Sequence, residues 1–349
     1  MKTKRVLAAV LLGAFSLTMV LTGCGNGSAQ QENNQAAENQ EPIRFVLANS
    51  QQTGSAVAMG IDRFAELVEE KSGGTMIIDV HHDAELGSDV ETTQQVQAGS
   101  LDMGTTSNDN FGVFDTDVLA LSLPYAIESE NLDKLYDAID NGELGDYYKA
   151  RMADINLHPL MFNEYGFRCY MSSSSPIVSP EDMKDMKLRA TSSQVELAAS
   201  EALSAPAQTV AWGETYMALQ QGTVDGESNT FNALKAAKHD EVLKYAATTE
   251  HNYSMHLLLM AEDKYQALTD EQKAILDEAA AEAVVYQREV LKEQEEAAKE
   301  AFVEKGIEVV ELTAEQKAEW AEAMSGVYDK LVPEVISQDV IDLLDEINQ

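Results

Sequence analysis

The chain has 349 residues and a formal charge of −36, with 60 acidic against 24 basic residues. So acidic a surface excludes nucleic acid as the main partner, because phosphate recognition needs a basic footprint, and it disfavours adsorption onto anionic lipid. The length suffices for one large or two medium domains with proper cores.

At the N-terminus, Lys2, Lys4 and Arg5 precede an apolar run from Val6 to Val20, and small residues lead into Cys24. This pattern predicts a secretory leader over 1–23, with an apolar core too short for a spanning helix. The segment LTGC ending at Cys24 resembles the bacterial lipobox, which implies cleavage before Cys24 and its lipidation. Two or more acyl chains anchor a protein stably where one does not. Residues 24–42 hold no aromatic residue and too little apolar material for a core, and are expected to be a flexible tether. Cys169 is the only other cysteine, so no disulfide is expected within the mature chain, and it is expected as a small buried hydrophobe rather than a nucleophile.

Beyond the tether, strand-like and helix-like segments alternate. Ile43–Asn49 alternates as a strand. A helical pattern with Ile61, Phe64, Ala65 and Val68 on one face follows and stops at Gly73-Gly74. TMIIDVHH predicts a second strand, SDVETTQQVQAGS a helix ended by Gly99, and LDMGTTS a third strand. This β-α-β-α-β order predicts a parallel sheet with right-handed crossovers, and the polar loop SNDNFGVFD leaves it at a strand C-terminus, where open α/β sheets place ligands. The run from Ser122 to Asn156 has a helical pattern throughout, interrupted at Gly145. LHPLMFNEYGFRCYMSS is extended, Ser179-Pro180 opens a short helix, and a strand carrying Arg189 follows. Helices are expected over SSQVELAASEALSA and from about Glu214 to Gln221, so a second α/β half spans about 167–253. SMHLLL reads as a buried strand with His256 in the core, and more than thirty residues from Thr269 form one long helical pattern without a clean heptad.

Two arginines stand out. Arg44, Arg63, Arg151 and Arg288 have ready surface explanations, whereas Arg168 in YGFRCYM and Arg189 in DMKLRATS both lie in strand-like settings. A planar guanidinium meets a carboxylate with two parallel hydrogen bonds, so such a pair points to an anion site, although a strand arginine also pairs readily with a neighbouring acid. His81 and His82 are adjacent in a strand and face opposite ways, so no metal site is expected there.

The order of GFR at 166–168, MKLRA at 186–190, WGETYMALQQGTVDGESN at 212–229 and the late helix, after AELVEEKSGGTMIIDVHHDAELGSDVETTQQVQAGSLDMGTTS, resembles the substrate-binding subunits of tripartite ATP-independent periplasmic (TRAP) transporters, the DctP family of solute receptors. The resemblance implies a bilobed α/β, periplasmic-binding-protein-like fold, with a long helix spanning both lobes and a cleft that closes on a small organic acid. The lobes would comprise 43–166 plus about 254–294, and 167–253 plus about 295–349. It implies that Arg189 forks the ligand carboxylate, Arg168 assists, Trp212 lines the pocket and Asn229 donates an amide, with Asn49, Ser107 and Asn108 contributing from the first lobe. The segment before Asn229 departs from the family pattern in Glu227-Ser228, and the proline near Trp212 is displaced to Pro206. The implied partners are a small organic acid and the TRAP permease subunits, with no cofactor and no catalysis. The location would be the outer face of the cytoplasmic membrane or the periplasm, held through Cys24. Competing readings are a secreted enzyme acting on organic acids and a receptor presenting ligand to a sensor. The chain lacks G-x-S-x-G, H-E-x-x-H and P-loop motifs.

Overall fold

A computed structural model describes residues 41–348; the leader, Cys24 and nearly all of the tether lie outside them. The first α/β half follows the expected order. Strand β1 (Ile43–Ala48) leads to the helix Ala56–Lys71, whose Ser55 hydroxyl accepts from the Ala58 amide, then to β2 (Met76–His81), the helix Asp89–Gln97 and β3 (Met103–Ser107). Both β2 and β3 pair parallel to β1. Phe64, Val68 and Leu47 belong to a buried cluster between this sheet and the helices, as the 3.6-residue spacing of the helix demands.

The stretch from Ser122 to Asn156 differs from its expected single helix. Short 3-10 turns at Thr116–Ser122 and Ser129–Asn131 precede two helices, Leu132–Asp140 and Glu143–Asp154. The break falls at Asn141-Gly142, and Gly145 lies within the second helix. A Cβ at Gly145 would sit 1.9 Å from the Ile139 carbonyl oxygen, so the close turn between the helices requires glycine there. Gly145→Ala is expected to cost about 1–3 kcal/mol, as overpacking typically does, and urea unfolding measures it.

Next comes β4 (Leu157–Ser172), and then the second half: β5 (Leu188–Ala190), β6 (Ala207–Thr209) and β7 (Gly226–Asn229), with the helices Gln194–Ala202 and Trp212–Gln220 between them. Strand β8 (Tyr245–Ala261) returns antiparallel to β4, and β9 (Glu308–Val310) adds to its start. The sheet order is β2-β1-β3-β8-β4-β7-β5-β6, with β9 beside β8. The two long antiparallel strands thus join two parallel three-stranded halves of the same internal order. Their register slips between Glu164 and Gly166 and again between Arg168 and Tyr170. At the first slip Gly166 has φ +102, which only glycine adopts easily, and on β8 opposite the second slip Glu250 has φ 46. Such bulges bend and twist a sheet locally, and here they fall where one half passes into the other.

The long helix runs over Asp270–Glu304, 35 residues, started by a Thr269–Gln272 capping box. Leu276, Ala280 and Ala283 pack in the first half's core, whereas Ala298 and Phe302 pack in that of the second. Between them Gln287 pairs with the backbone at the register slip: its Oε1 accepts from the Glu164 N–H at 2.9 Å and its Nε2 donates to the Glu164 carbonyl at 2.8 Å. Among the described residues no helix is long and apolar enough to cross a membrane.

Candidate functional site

Parallel strands β1, β3, β5 and β7 end on the same region, so the loops after them meet. Asn49, Ser107 and Asn108 lie at the first-half strand ends. Their polar atoms are used within the protein. The Asn49 Oδ1 accepts from Thr105 Oγ1 (2.7 Å) and from the Gln51 amide (3.2 Å), and its Nδ2 contacts His82 Nδ1 at 2.9 Å. Ser107 caps the short helix Asn108–Phe111 through the Asn110 amide. Asn108 donates to Ser122 Oγ at 2.8 Å and accepts from Ser254 Oγ and the Met255 amide. These three residues shape the loops. Their neighbours reach across: Gln52 Oε1 accepts from the Trp212 indole at 2.8 Å, and Asn110 Oδ1 accepts from the Ser192 amide at 3.2 Å. The two halves are therefore in contact at the site, a closed arrangement.

The two strand arginines have opposite surroundings. Arg168, 2% exposed on β4, donates through Nη1 to Asp109 Oδ2 at 2.9 Å, and its Nη2 lies 2.8 Å from Glu196 Oε1. The same Nη2 donates to the Ser228 carbonyl at 2.5 Å, and Nε to Ser228 Oγ at 3.3 Å. Arg189, 5% exposed on β5, donates only Nε, to the Val210 carbonyl at 3.0 Å, and its guanidinium lies 5.8 Å from the Trp212 ring centre. Every other described arginine has a carboxylate within reach: Arg44 on Asp79, Arg63 on Glu66, Arg151 on Asp115, Arg168 as above and Arg288 on Asp140. Among the described residues Arg189 alone has none. A buried guanidinium without an acid is costly unless something supplies the anion.

Burial pushes the Arg168 guanidinium's pKa down, but Glu196 and Asp109 outweigh it and the net shift is upward. Glu196 is itself pushed up by burial, against the pull of Arg168 and, more weakly, of Arg189. His251 contacts Ser228 Oγ at 3.1 Å and stacks on Tyr170; burial, with Arg168 adding to it, pushes it down to about 3, so it stays neutral. Tyr165, pushed up by burial, bonds Gln51, and Arg189 lines one small pocket with Glu196, Ser228 and His251, the groups that surround Arg168. Asn229 accepts from the Thr230 amide through Oδ1 at 3.0 Å. Cys169 is buried, and burial pushes its thiol up, against nucleophilic use. His81 and His82 take different partners, Glu85 and Asp62.

Sequence reasoning missed Asp109, Glu196, Gln52 and Asn110. Their signal was position alone: each lies within a few residues of a parallel strand's C-terminal end. It missed Glu295 too, which sits on the long helix and accepts from the Phe231 and Asn232 amides at 2.9 and 2.8 Å, holding the turn just after Asn229. Burial pushes Glu295 up to about 7 from an ordinary 4.5, against those two amides. With the folded value raised, the stability contributed by its proton is full below about 4.5 and is lost as pH rises through about 7. Between pH 6 and 8 the wild type should therefore lose about 1 kcal/mol relative to Glu295→Gln, read from urea unfolding at each pH.

A cavity of about 690 Å³ lies elsewhere, lined by Tyr136, Glu164, Phe167, Leu291 and Glu295 among others. It touches none of Arg189, Trp212 and Asn229. Size alone does not outweigh the unpaired buried cation, and Arg189 is the candidate site.

Comparison with known proteins identifies the family. The profile of the bacterial extracellular solute-binding proteins, family 7 (DctP), matches residues 47–334. The C4-dicarboxylate-binding periplasmic protein DctP of Rhodobacter capsulatus is 29% identical over 338 residues, covering 96% of each chain. A TRAP periplasmic solute-binding protein of Sulfurospirillum deleyianum, solved with succinate, superposes with TM-score 0.82 at 26% identity, covering 88% of this chain and 100% of the other. One of Sulfitobacter, solved with β-D-galacturonate, gives 0.81 at 28% identity, covering 87% and 99%. These relatives share the bilobed α/β fold expected here, and with more than four-fifths of the chain matched, it belongs to the family-7 bacterial extracellular solute-binding proteins, the DctP-type receptors of TRAP transporters.

Proposed function

We propose that this receptor binds a small organic acid by placing its carboxylate on Arg189 between two closing lobes, and passes it to the membrane subunits of a TRAP permease. The observation that carries the reading is the buried guanidinium of Arg189 over Trp212, which makes no ion pair in a chain whose other described arginines all do. Two parallel bonds to a carboxylate satisfy the free Nη groups, and the always-charged arginine suits a capture role that lysine serves less well. The lobes are 43–166 plus about 254–294, and 167–253 plus about 295–349, hinged at the register slips of β4 and β8. Closure is then favoured when an anion arrives to pair the cation. Asn229 and Trp212 line the ligand's path from the second lobe. Lipidation at Cys24 holds the receptor outside the cytoplasmic membrane, and the protein binds rather than transforms its ligand.

A melting screen of the purified protein against small carboxylates, sugar acids and neutral sugars tests the reading, since a ligand of the folded state raises the melting temperature by mass action. Shifts from acids are expected. Shifts confined to neutral compounds contradict the proposal.

A further inference from the structure

Which acid the site takes turns on whether Arg168 can hold a second carboxylate. A dicarboxylate buried in the closed cleft needs a cation for each end, because a desolvated and unpaired carboxylate is expensive. The second half offers two buried guanidinium groups, Arg168 and Arg189, and only Arg189 has no ion-pair partner. Arg168 is bracketed by Asp109 from the loop after β3 and Glu196 from the helix after β5, at 2.9 and 2.8 Å, and both acids are buried. Ser228 accepts from Nε through its hydroxyl and from Nη2 through its carbonyl. The acids are themselves fixed: Asp109 Oδ2 accepts from Ser254 Oγ at 3.0 Å, and Glu196 Oε2 from the Thr191 amide at 2.6 Å.

The charge balance is unfavourable to a second anion in either state of Glu196. When Glu196 is ionised, the Arg168 group carries one net negative charge; when it is protonated, the group is neutral. His251 beside it stays neutral, and buried Asp89, which accepts from the Ser107 amide and from Asn110, adds negative charge nearby. Asp109 Oδ1, by contrast, is buried and has no hydrogen-bond donor. A hydroxyl can donate to it, whereas an ionised carboxylate only accepts. Relatives do not decide the matter, since solved family members hold both succinate and galacturonate.

We propose that Asp109 and Glu196, by occupying Arg168, make this receptor select monocarboxylates bearing hydroxyl groups and reject dicarboxylates. The selection rests on the reading of Arg189 as the carboxylate site. Arg168 then acts as a cross-lobe tie rather than a ligand arm.

Calorimetric titration with matched pairs tests it: gluconate against glucarate, and 4-hydroxybutyrate against succinate, each pair differing by a terminal hydroxymethyl group in place of a carboxylate. The monocarboxylate of each pair is expected to bind at least about 10-fold more tightly. In variants combining Asp109→Asn with Glu196→Gln or Glu196→Met, checked for folding by circular dichroism, the preference should narrow by a similar factor, because the Arg168 group then carries one net positive charge. A dicarboxylate that binds the wild type as tightly as its partner overturns the proposal while leaving Arg189 as the carboxylate site. Folded variants with an unchanged preference overturn it as well. If the variants do not fold, the wild-type pairs decide alone. If none of the four acids binds, the Arg189 reading itself fails for acids of this size and the selection falls with it.

Discussion

Arg189→Lys should lose organic-acid affinity by roughly 30-fold to several-thousand-fold, the equivalent of about 2–5 kcal/mol for truncating one side of a desolvated charge pair. Lysine keeps the charge but offers a point rather than a planar fork, and it cannot both reach the Val210 carbonyl and present two parallel donors. The loss should appear in the dissociation rate rather than in association, because capture by an acidic protein relies on local rather than long-range attraction. Stability without ligand should change little, since lysine keeps the buried positive charge and Arg189 has no ion pair to lose. Isothermal titration and urea unfolding of the same preparation read both quantities. Equal affinity in the lysine variant would sink the assignment.

Arg168→Met should behave in the opposite way. Its removal leaves Asp109 and Glu196 buried without their common cation, and breaking a buried pair by deleting one partner typically costs about 3–5 kcal/mol. The deficit should shrink at acidic pH, as the stranded carboxylates take up protons and no longer need a counter-charge. Urea unfolding at pH 7 and pH 5 measures it; a loss below about 1 kcal/mol at pH 7 would show that the triad is not tightly held. The contrast between the two arginines is the sharper observation, because destabilisation by one and loss of ligand by the other separates a structural cation from a binding one.

Much of this architecture is legible in the residues. Alternation in IRFVLAN and TMIIDVHH and the stops at Gly73-Gly74 and Gly99 mark the first half, and the unbroken run after Thr269 marks the long helix. The pairing of β4 with β8 is not legible, because an extended stretch does not name its partner when the two lie some ninety residues apart. The stretch from Ser122 to Asn156 misleads for a related reason: its apolar spacing suits a helix, but the break depends on how closely two turns must pass near Gly145. At the site, Arg189 and Trp212 come together because both lie at strand ends in the second half. The fate of Arg168 is hidden among 60 acidic residues, any of which might have been its partner on paper. Asn49 and Asn108 illustrate the converse, polar residues at strand ends whose side chains secure the loops around the cleft.

A crystal structure of the purified protein with the tightest-binding acid from the melting screen tests the central claim most directly. The account predicts the ligand carboxylate on both Nη groups of Arg189 at about 2.7–2.9 Å, with Arg168 still bridging Asp109 and Glu196. A carboxylate held by Arg168, or an Arg189 turned away to a protein acid with the ligand bound elsewhere, would contradict it.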